Sequence, residues 1–268
     1  MPTVEEWLAS ALLEPIDKTF IVEHVTGMGK VSQLLHGDRA LTPKETAVLN
    51  RLAAQRQKGM PLPYLLGSQD FFGRRFKVSP AVLIPRPDTE SLVEWLLENI
   101  PKNSRVCDLG TGSGCIAITL KLERPDLKVY ASDLSEEALT IAKENAVELG
   151  AEIEFLAGSW LDAFPEELPL DTIVSNPPYI SKEDPHLKAL RYEPLSALTD
   201  NSDGLNSYRA IFSQVKKRSP LPSMVAVEHG WDQKEKVQNL FLAFGLGESQ
   251  TFKDLGGNDR FTIWRKAV

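Results

Sequence analysis

RVCDLGTGSG, Arg105 to Gly114, decides the fold. Its first five residues read as a buried strand, 105–109, and residues 114–121 read as a helix. Between them glycines 110, 112 and 114 let the backbone turn tightly and approach a ligand closely, at the N-terminus of the helix. Strand, glycine turn and helix in that order make the repeating unit of a parallel α/β sheet. Outward from it the alternation continues, with strands at 128–133, 152–156, 171–175 and 223–228 and a final pair near 249–254 and 260–265. Helices fall near 135–149, 205–217 and 232–244. Such alternation predicts a mostly parallel sheet covered on both faces.

Sheets of this kind bind ligands beyond the C-terminal ends of their strands, where the strand order switches. Three of those ends carry unusual residues. The first is the glycine turn. The second is Asp133, placed to accept hydrogen bonds from both hydroxyls of a ribose. The third is SNPPYI, Ser175 to Ile180, where two prolines lacking N–H groups take the chain out of the sheet and stiffen it. The glycines are spaced G-x-G-x-G, and Cys115 stands where the dinucleotide fingerprint has its third glycine. Alone, the turn reads either as a nucleoside site or as a tight strand-to-helix turn. Asp133 reads either as a ribose ligand or as a helix cap, a job for which Ser135 is also placed.

Upstream the texture differs. Residues 1–60 read as short helices. Thr3 with Glu6 and Thr42 with Glu45 have capping-box spacing, Val4, Trp7, Leu8, Ala11 and Leu12 mark one face, and Gly59 and Pro61 stop the last helix. Residues 61–87 read as a bridge, with a hairpin turning at Gly73-Arg74 and Pro85 and Pro87 holding Arg86 extended. Asp88 or Thr89 is expected to cap the helix that follows, and the region 88–268 forms the α/β domain. Arg86 reads either as reaching the site or as bracing a domain interface. Glu193, near Arg191, reads either as pocket wall or as half of a surface ion pair.

Composition sets outer bounds. Apolar residues make up 42% and charged residues 25% of 268, an ordinary globular profile. Lys and Arg number ten against eight Asp and Glu in residues 1–80, and twenty against twenty-nine beyond, so the acidity sits in the α/β region. A net charge of −7 argues against a dedicated nucleic-acid binder. No apolar run approaches the ~20 residues of a membrane span. Cys107 and Cys115, without metal-ligand neighbours, fit reduced thiols and a cytoplasmic location. The four histidines show no metal-ligand spacing, so no metal is expected.

DLGTGSG, the strand-end Asp133 and NPPY together resemble the Rossmann-like, S-adenosylmethionine-dependent methyltransferases that act on planar amino or amide nitrogens. PLPYLLGSQDFFG at 61–73, LIPRPDTE at 83–90, YEPLSAL at 192–198 and KDLGGNDRF at 253–261 are similar to the release factor glutamine methyltransferases (PrmC, also called HemK). The resemblance spans essentially the whole chain. It implies a class I methyltransferase domain with a seven-stranded sheet and a small helical bundle joined to it by a β-hairpin. It also implies that Asp108, Gly110, Thr111, Gly112, Ser113 and Gly114 cradle S-adenosylmethionine, that Asp133 holds its ribose, and that Trp160 lies against its adenine. Asn176 would sit beside the cofactor and, with Pro177, Pro178 and Tyr179, address the acceptor. The implied substrate is the glutamine of the Gly-Gly-Gln motif in class-1 peptide chain release factors, and residues 1–60 read either as recognising it or as structural support.

An amide nitrogen is a poor nucleophile because its lone pair is delocalised into the carbonyl. The side-chain oxygen of Asn176 and the backbone carbonyl of Pro177 can each accept one of its N–H groups, aiming the remaining lobe and raising its electron density. The second reading is a DNA adenine N6-methyltransferase using the same NPPY geometry on a flipped base. The acidic balance and the lack of a base-reading domain count against it. The third is a release-factor adaptor without catalysis, against which the intact Asn176 and glycine turn stand.

Overall fold

Residues 1–267 are described in the computed structural model, which divides into two compact units, Met1–Ser68 and Gln69–Val268. The N-terminal unit holds helices α1 (Val4–Ser10), α2 (Pro15–Thr26), α3 (Lys30–Leu35), α4 (Pro43–Gln57) and α5 (Leu62–Leu66). Both expected capping boxes form: Thr3 with Glu6 opens α1, and Thr42 with Glu45 opens α4. Val4, Trp7, Ile21, Val22, Leu41, Leu49 and Leu52 make its core. Trp7 satisfies its indole N–H on Asn50 Oδ1 at 2.9 Å, so a large ring is buried without stranding a donor. The apolar face expected to run to Leu12 stops sooner. The helix ends at Ser10, and Leu12 is exposed.

A hairpin follows, β1 (Ser68–Phe71) with β2 (Arg74–Lys77). Its turn is Phe72-Gly73, one residue earlier than expected, with both residues left-handed at φ 50° and 71°. Two-residue hairpin turns need that twist at both positions. Glu90 offsets part of the strain by accepting the Phe72 N–H at 2.7 Å.

The remaining helices are α6 (Pro87–Asn99), α7 (Cys115–Glu123), α8 (Glu136–Leu149), α9 (Leu195–Leu198), α10 (Asn206–Lys217) and α11 (Lys234–Ala243). The strands are β3 (Arg105–Leu109), β4 (Lys128–Asp133), β5 (Glu154–Ala157), β6 (Thr172–Ser175), β7 (Met224–Glu228), β8 (Ser249–Lys253) and β9 (Asp259–Arg265). Their order is β5-β4-β3-β6-β7-β9-β8. The first five are parallel, and β9 runs antiparallel to both β7 and β8. Side chains alternate across the sheet as the period of two requires. Val106, Val129, Val174, Met224 and Ala226 pack on one face with α6 and α7. Cys107, Leu109, Ile173, Val225 and Val227 pack on the other with α10 and α11. Because β3 has β4 on one side and β6 on the other, the chain reverses its winding there, and the glycine turn leaves the sheet at that point.

Candidate active site

A cleft of about 410 Å³ opens at the switch point, lined by residues from the glycine turn, the end of β4, Gly158 to Trp160, the segment 81–89, Asn176 and Pro178, and the 194–197 loop. Of the site residues singled out in the sequence, Gly110, Thr111, Gly112, Ser113, Asp133, Trp160, Asn176 and Pro178 line it, and Asp108, Gly114, Pro177 and Tyr179 do not.

The turn is held from below. Gly110 and Thr111 donate their N–H groups to Ser132 O at 2.8 and 2.9 Å, and Thr111 Oγ1 donates to Asp108 Oδ2 at 2.7 Å. Asp108 is fully buried, and burial raises its carboxyl to about 7. Asn145 of α8, 1% exposed, donates Nδ2 to Ser113 O at 2.9 Å and to Lys77 O at 3.0 Å while accepting Lys77 N–H at 2.7 Å. One side chain thus ties the turn to the hairpin. Glycine is required at 110 for two reasons. Its φ is +70°, and a Cβ would stand 3.1 Å from Trp160 Cζ3.

Asp133 does two jobs rather than one. Its Oδ2 accepts Gly112 N–H and its Oδ1 accepts Ser135 N–H, both at 2.9 Å, and the residue lines the cleft. Burial raises its pKa. Ser135 does cap α8, through Ala138 N–H at 3.1 Å. Trp160 takes a left-handed φ of 53°, half-buried, with its ring edge against Gly110.

The NPPY segment is pinned at successive points. Ser175 Oγ donates to Leu109 O at 2.7 Å, Ser207 Oγ to Pro178 O at 3.0 Å, and Gln233 Nε2 to Tyr179 O at 2.9 Å. Gly204 leaves the room this needs, since a Cβ there would meet Tyr179 O at 2.3 Å. The Pro177 carbonyl has no donor among the described residues. Asn176 Nδ2 donates to Thr89 Oγ1 at 3.3 Å. Tyr179 directs its hydroxyl toward Arg260 and Glu228, and burial raises its pKa.

Several groups here escaped the sequence reading. Neither Asp88 nor Thr89 caps α6, because the helix begins two to three residues earlier, with Pro87 at its first position and Arg86 as cap. Asp88 pairs instead with Arg260 at 3.0 Å. Arg86 and Glu193 find each other. Their ion pair is backed by Ile84 N–H donating to Glu193 at 3.1 Å, with the Glu193 side chain 2% exposed. Arg191 stacks over Tyr192 at 4.9 Å. Glu228, the last residue of β7, is 1% exposed. An acid at the C-terminal end of a central strand was the available signal for it. Among the described residues no group of three or more His, Cys, Asp or Glu is arranged to hold a metal ion, and no helix is long and apolar enough to cross a membrane.

Comparison with known proteins agrees with this geometry. Residues 5–67 match the PrmC N-terminal domain family and residues 86–192 the methyltransferase small domain family. A methyltransferase structure from Pyrococcus furiosus superposes with TM-score 0.57 over 80% of this chain and 100% of its own, at 16% identity, which speaks to the fold alone. The release factor glutamine methyltransferase of Bordetella pertussis is 42% identical, covering 98% of both chains. That of Neisseria gonorrhoeae is 44% identical over 264 residues, 97% of both chains. Identity of that order along nearly the full length, on a cleft that joins a glycine turn to NPPY, places this chain in the release factor glutamine methyltransferase family.

Proposed function

We propose that this protein transfers a methyl group from S-adenosylmethionine to the side-chain amide nitrogen (N5) of the glutamine in the Gly-Gly-Gln motif of class-1 peptide chain release factors, acting in the cytoplasm. The observation that carries the reading is the placement of Asn176 and Pro177 beside the glycine turn, at the ends of adjacent strands β6 and β3. The cleft also fits the cofactor. Gly112 has open space where a side chain would stand, Asp133 lines the cleft with its carboxylate, and Trp160 brings a ring to it beside Gly110. Gly110, Thr111, Gly112, Ser113 and Gly114 would hold its amino-acid end, Asp133 its ribose and Trp160 its adenine. Bound there, S-adenosylmethionine supplies a methyl group already activated by its sulfonium.

What remains for the protein is to prepare the nitrogen. Asn176 Oδ1 and the Pro177 carbonyl each accept one N–H of the substrate amide, fixing its plane and turning its lone pair toward the methyl group. Both acceptors are set before the substrate arrives, since Ser175, Pro178 and Tyr179 are anchored on either side. They therefore stabilise the charge that grows on nitrogen without reorganising. Pro178 lines the cleft beside the amide, and Tyr179, tethered at its hydroxyl and its carbonyl, holds the segment from the core side. Selection of the release factor falls to residues 1–60, where Leu12, Ile16, Phe20, Val31, Leu34 and Leu35 are all exposed. One assay tests the reading: labelled S-adenosylmethionine is offered with a release factor or with duplex DNA. Label on the glutamine is expected, and label on adenine alone would transfer the assignment to DNA N6-methylation.

A further inference from the structure

Thr89 lies in the first turn of α6, 2% exposed, yet caps nothing. Its Oγ1 stands 3.3 Å from Asn176 Nδ2, and its hydroxyl is also a neighbour of the carboxyl of Glu228. Glu228 is equally odd as a structural residue. Arg260 gives its guanidinium to Asp254 at 2.9 Å and Asp88 at 3.0 Å, and Glu228 Oε2 is buried with no donor. A buried acid kept without a full set of partners costs stability, so its retention calls for a reason.

The chemistry of Asn176 supplies one. A carboxamide has nearly the same shape either way round, and turning it over exchanges an acceptor for a donor. Only the acceptor can hold an N–H of a substrate amide. An ionised carboxylate can only accept, so the Thr89 hydroxyl proton is committed to Glu228 and its lone pairs face Asn176. Those lone pairs admit the NH2 end alone. We propose that Thr89, oriented by Glu228, is a positioning residue that fixes which way round the Asn176 carboxamide sits, so that Oδ1 is the atom offered to the substrate while Glu228 is ionised. The inference rests on the role given to Asn176 above.

The lock has a pH sense. Around Glu228 stand Asp88 of α6, Cys115 of α7, Tyr179, Tyr208 of α10 and Arg260 of β9. Burial lifts Glu228 to about 7 against the pull of Thr89, Arg260 and Tyr179. Once protonated, Glu228 can donate to Thr89, whose own proton is then free for Asn176 Oδ1, and the lock reverses. Turnover at saturating cofactor therefore rises with pH through this range. Asp108, which burial raises to a similar value, supports the cofactor turn and acts on cofactor binding instead.

Thr89→Val keeps the shape and removes the hydroxyl. It should lower kcat by ~10-fold or more with KM for the release factor within about twofold, and Thr89→Ser should restore turnover. In an Asn176→Ala background the same change should cost nothing further, because its effect passes through Asn176. Glu228→Gln, neutral at every pH, should lose the acid limb of kcat, and it serves as the second variant should Thr89→Val fold poorly. The side-chain amide resonances of Asn176 give a readout independent of turnover: they should move, and exchange faster, in Thr89→Val. Unmoved resonances, full additivity with Asn176→Ala, or wild-type turnover in Thr89→Val would each overturn the lock. If the wild-type protein leaves release factor unlabelled, the functional reading fails, and the resonances still decide the lock.

Discussion

Under the proposed function Asp133 holds and Asn176 reacts, and single substitutions should separate the two. Asp133→Ala removes an acceptor for ribose hydroxyls and for two backbone N–H groups of its own turn. It should weaken S-adenosylmethionine binding by roughly 1.5–3 kcal/mol, the range of charge-assisted hydrogen bonds. Calorimetry checks this, with Asp133→Asn as the companion that keeps an acceptor in place. Unchanged affinity in both would put the ribose elsewhere. Asn176→Ala should behave differently, lowering kcat by ~10²-fold or more while cofactor affinity moves little, as expected for an acceptor used in the transition state. Wild-type turnover would remove Asn176 from the chemistry. The site was legible where one residue type does one visible thing. Glycines in a turn, an acid ending a strand and paired prolines all announce themselves. Thr89, Asn145 and Arg260 did not, because each acts on a group 68 or more positions away, and Glu228, though it ends a strand, was passed over because its neighbours come from α6 and β9. Sequence spacing carries no trace of such partners.

Elements were easier to read, since helix and strand periods are local. Strands β3 and β4 fall where the alternation placed them, and β5 starts two residues later than expected because 152 and 153 lie outside the ladder. The hairpin turn was misplaced because glycine drew attention to itself, whereas Phe72, a residue that rarely takes a positive φ, shares the turn. Capping boxes were read correctly, and one of them makes a pH prediction. Arg39 and the Thr42 N–H hold Glu45 down to about 2, below its usual 4.5. A carboxyl depressed on folding stabilises the fold above its unfolded pKa and loses that contribution as pH falls through the folded one. The N-terminal unit should therefore lose stability between pH 4.5 and about 2. Helix signal followed through an acid titration checks this, and Glu45→Gln should flatten that part of the curve. An unchanged curve would mean that the pair is equally strong in the unfolded chain.

At the scale of the molecule, recognition and chemistry are assigned to different stretches of chain. Deleting residues 1–60 should leave S-adenosylmethionine affinity within about threefold, but slow methylation of intact release factor by ~10-fold or more, the scale of a modest loss of contact energy. Activity on a short Gly-Gly-Gln peptide should change little. A soluble shortened chain that methylates whole release factor at the full-length rate would end the recognition role, and aggregation would assign the bundle a structural one. The sheet order carries a consequence for how the protein is made. The strand of the sheet that comes last in chain order, β9, is not at an edge: it lies between β7 and β8 and delivers Arg260 to the cluster beside Tyr179. A nascent chain can therefore pair β3, β4, β5, β6 and β7 as they leave the ribosome, but it carries β7 as an open edge until residues beyond 259 have emerged. Until β9 arrives the β7 edge has its hydrogen-bonding groups unpaired, and it is the surface a chaperone would have to shield during the wait.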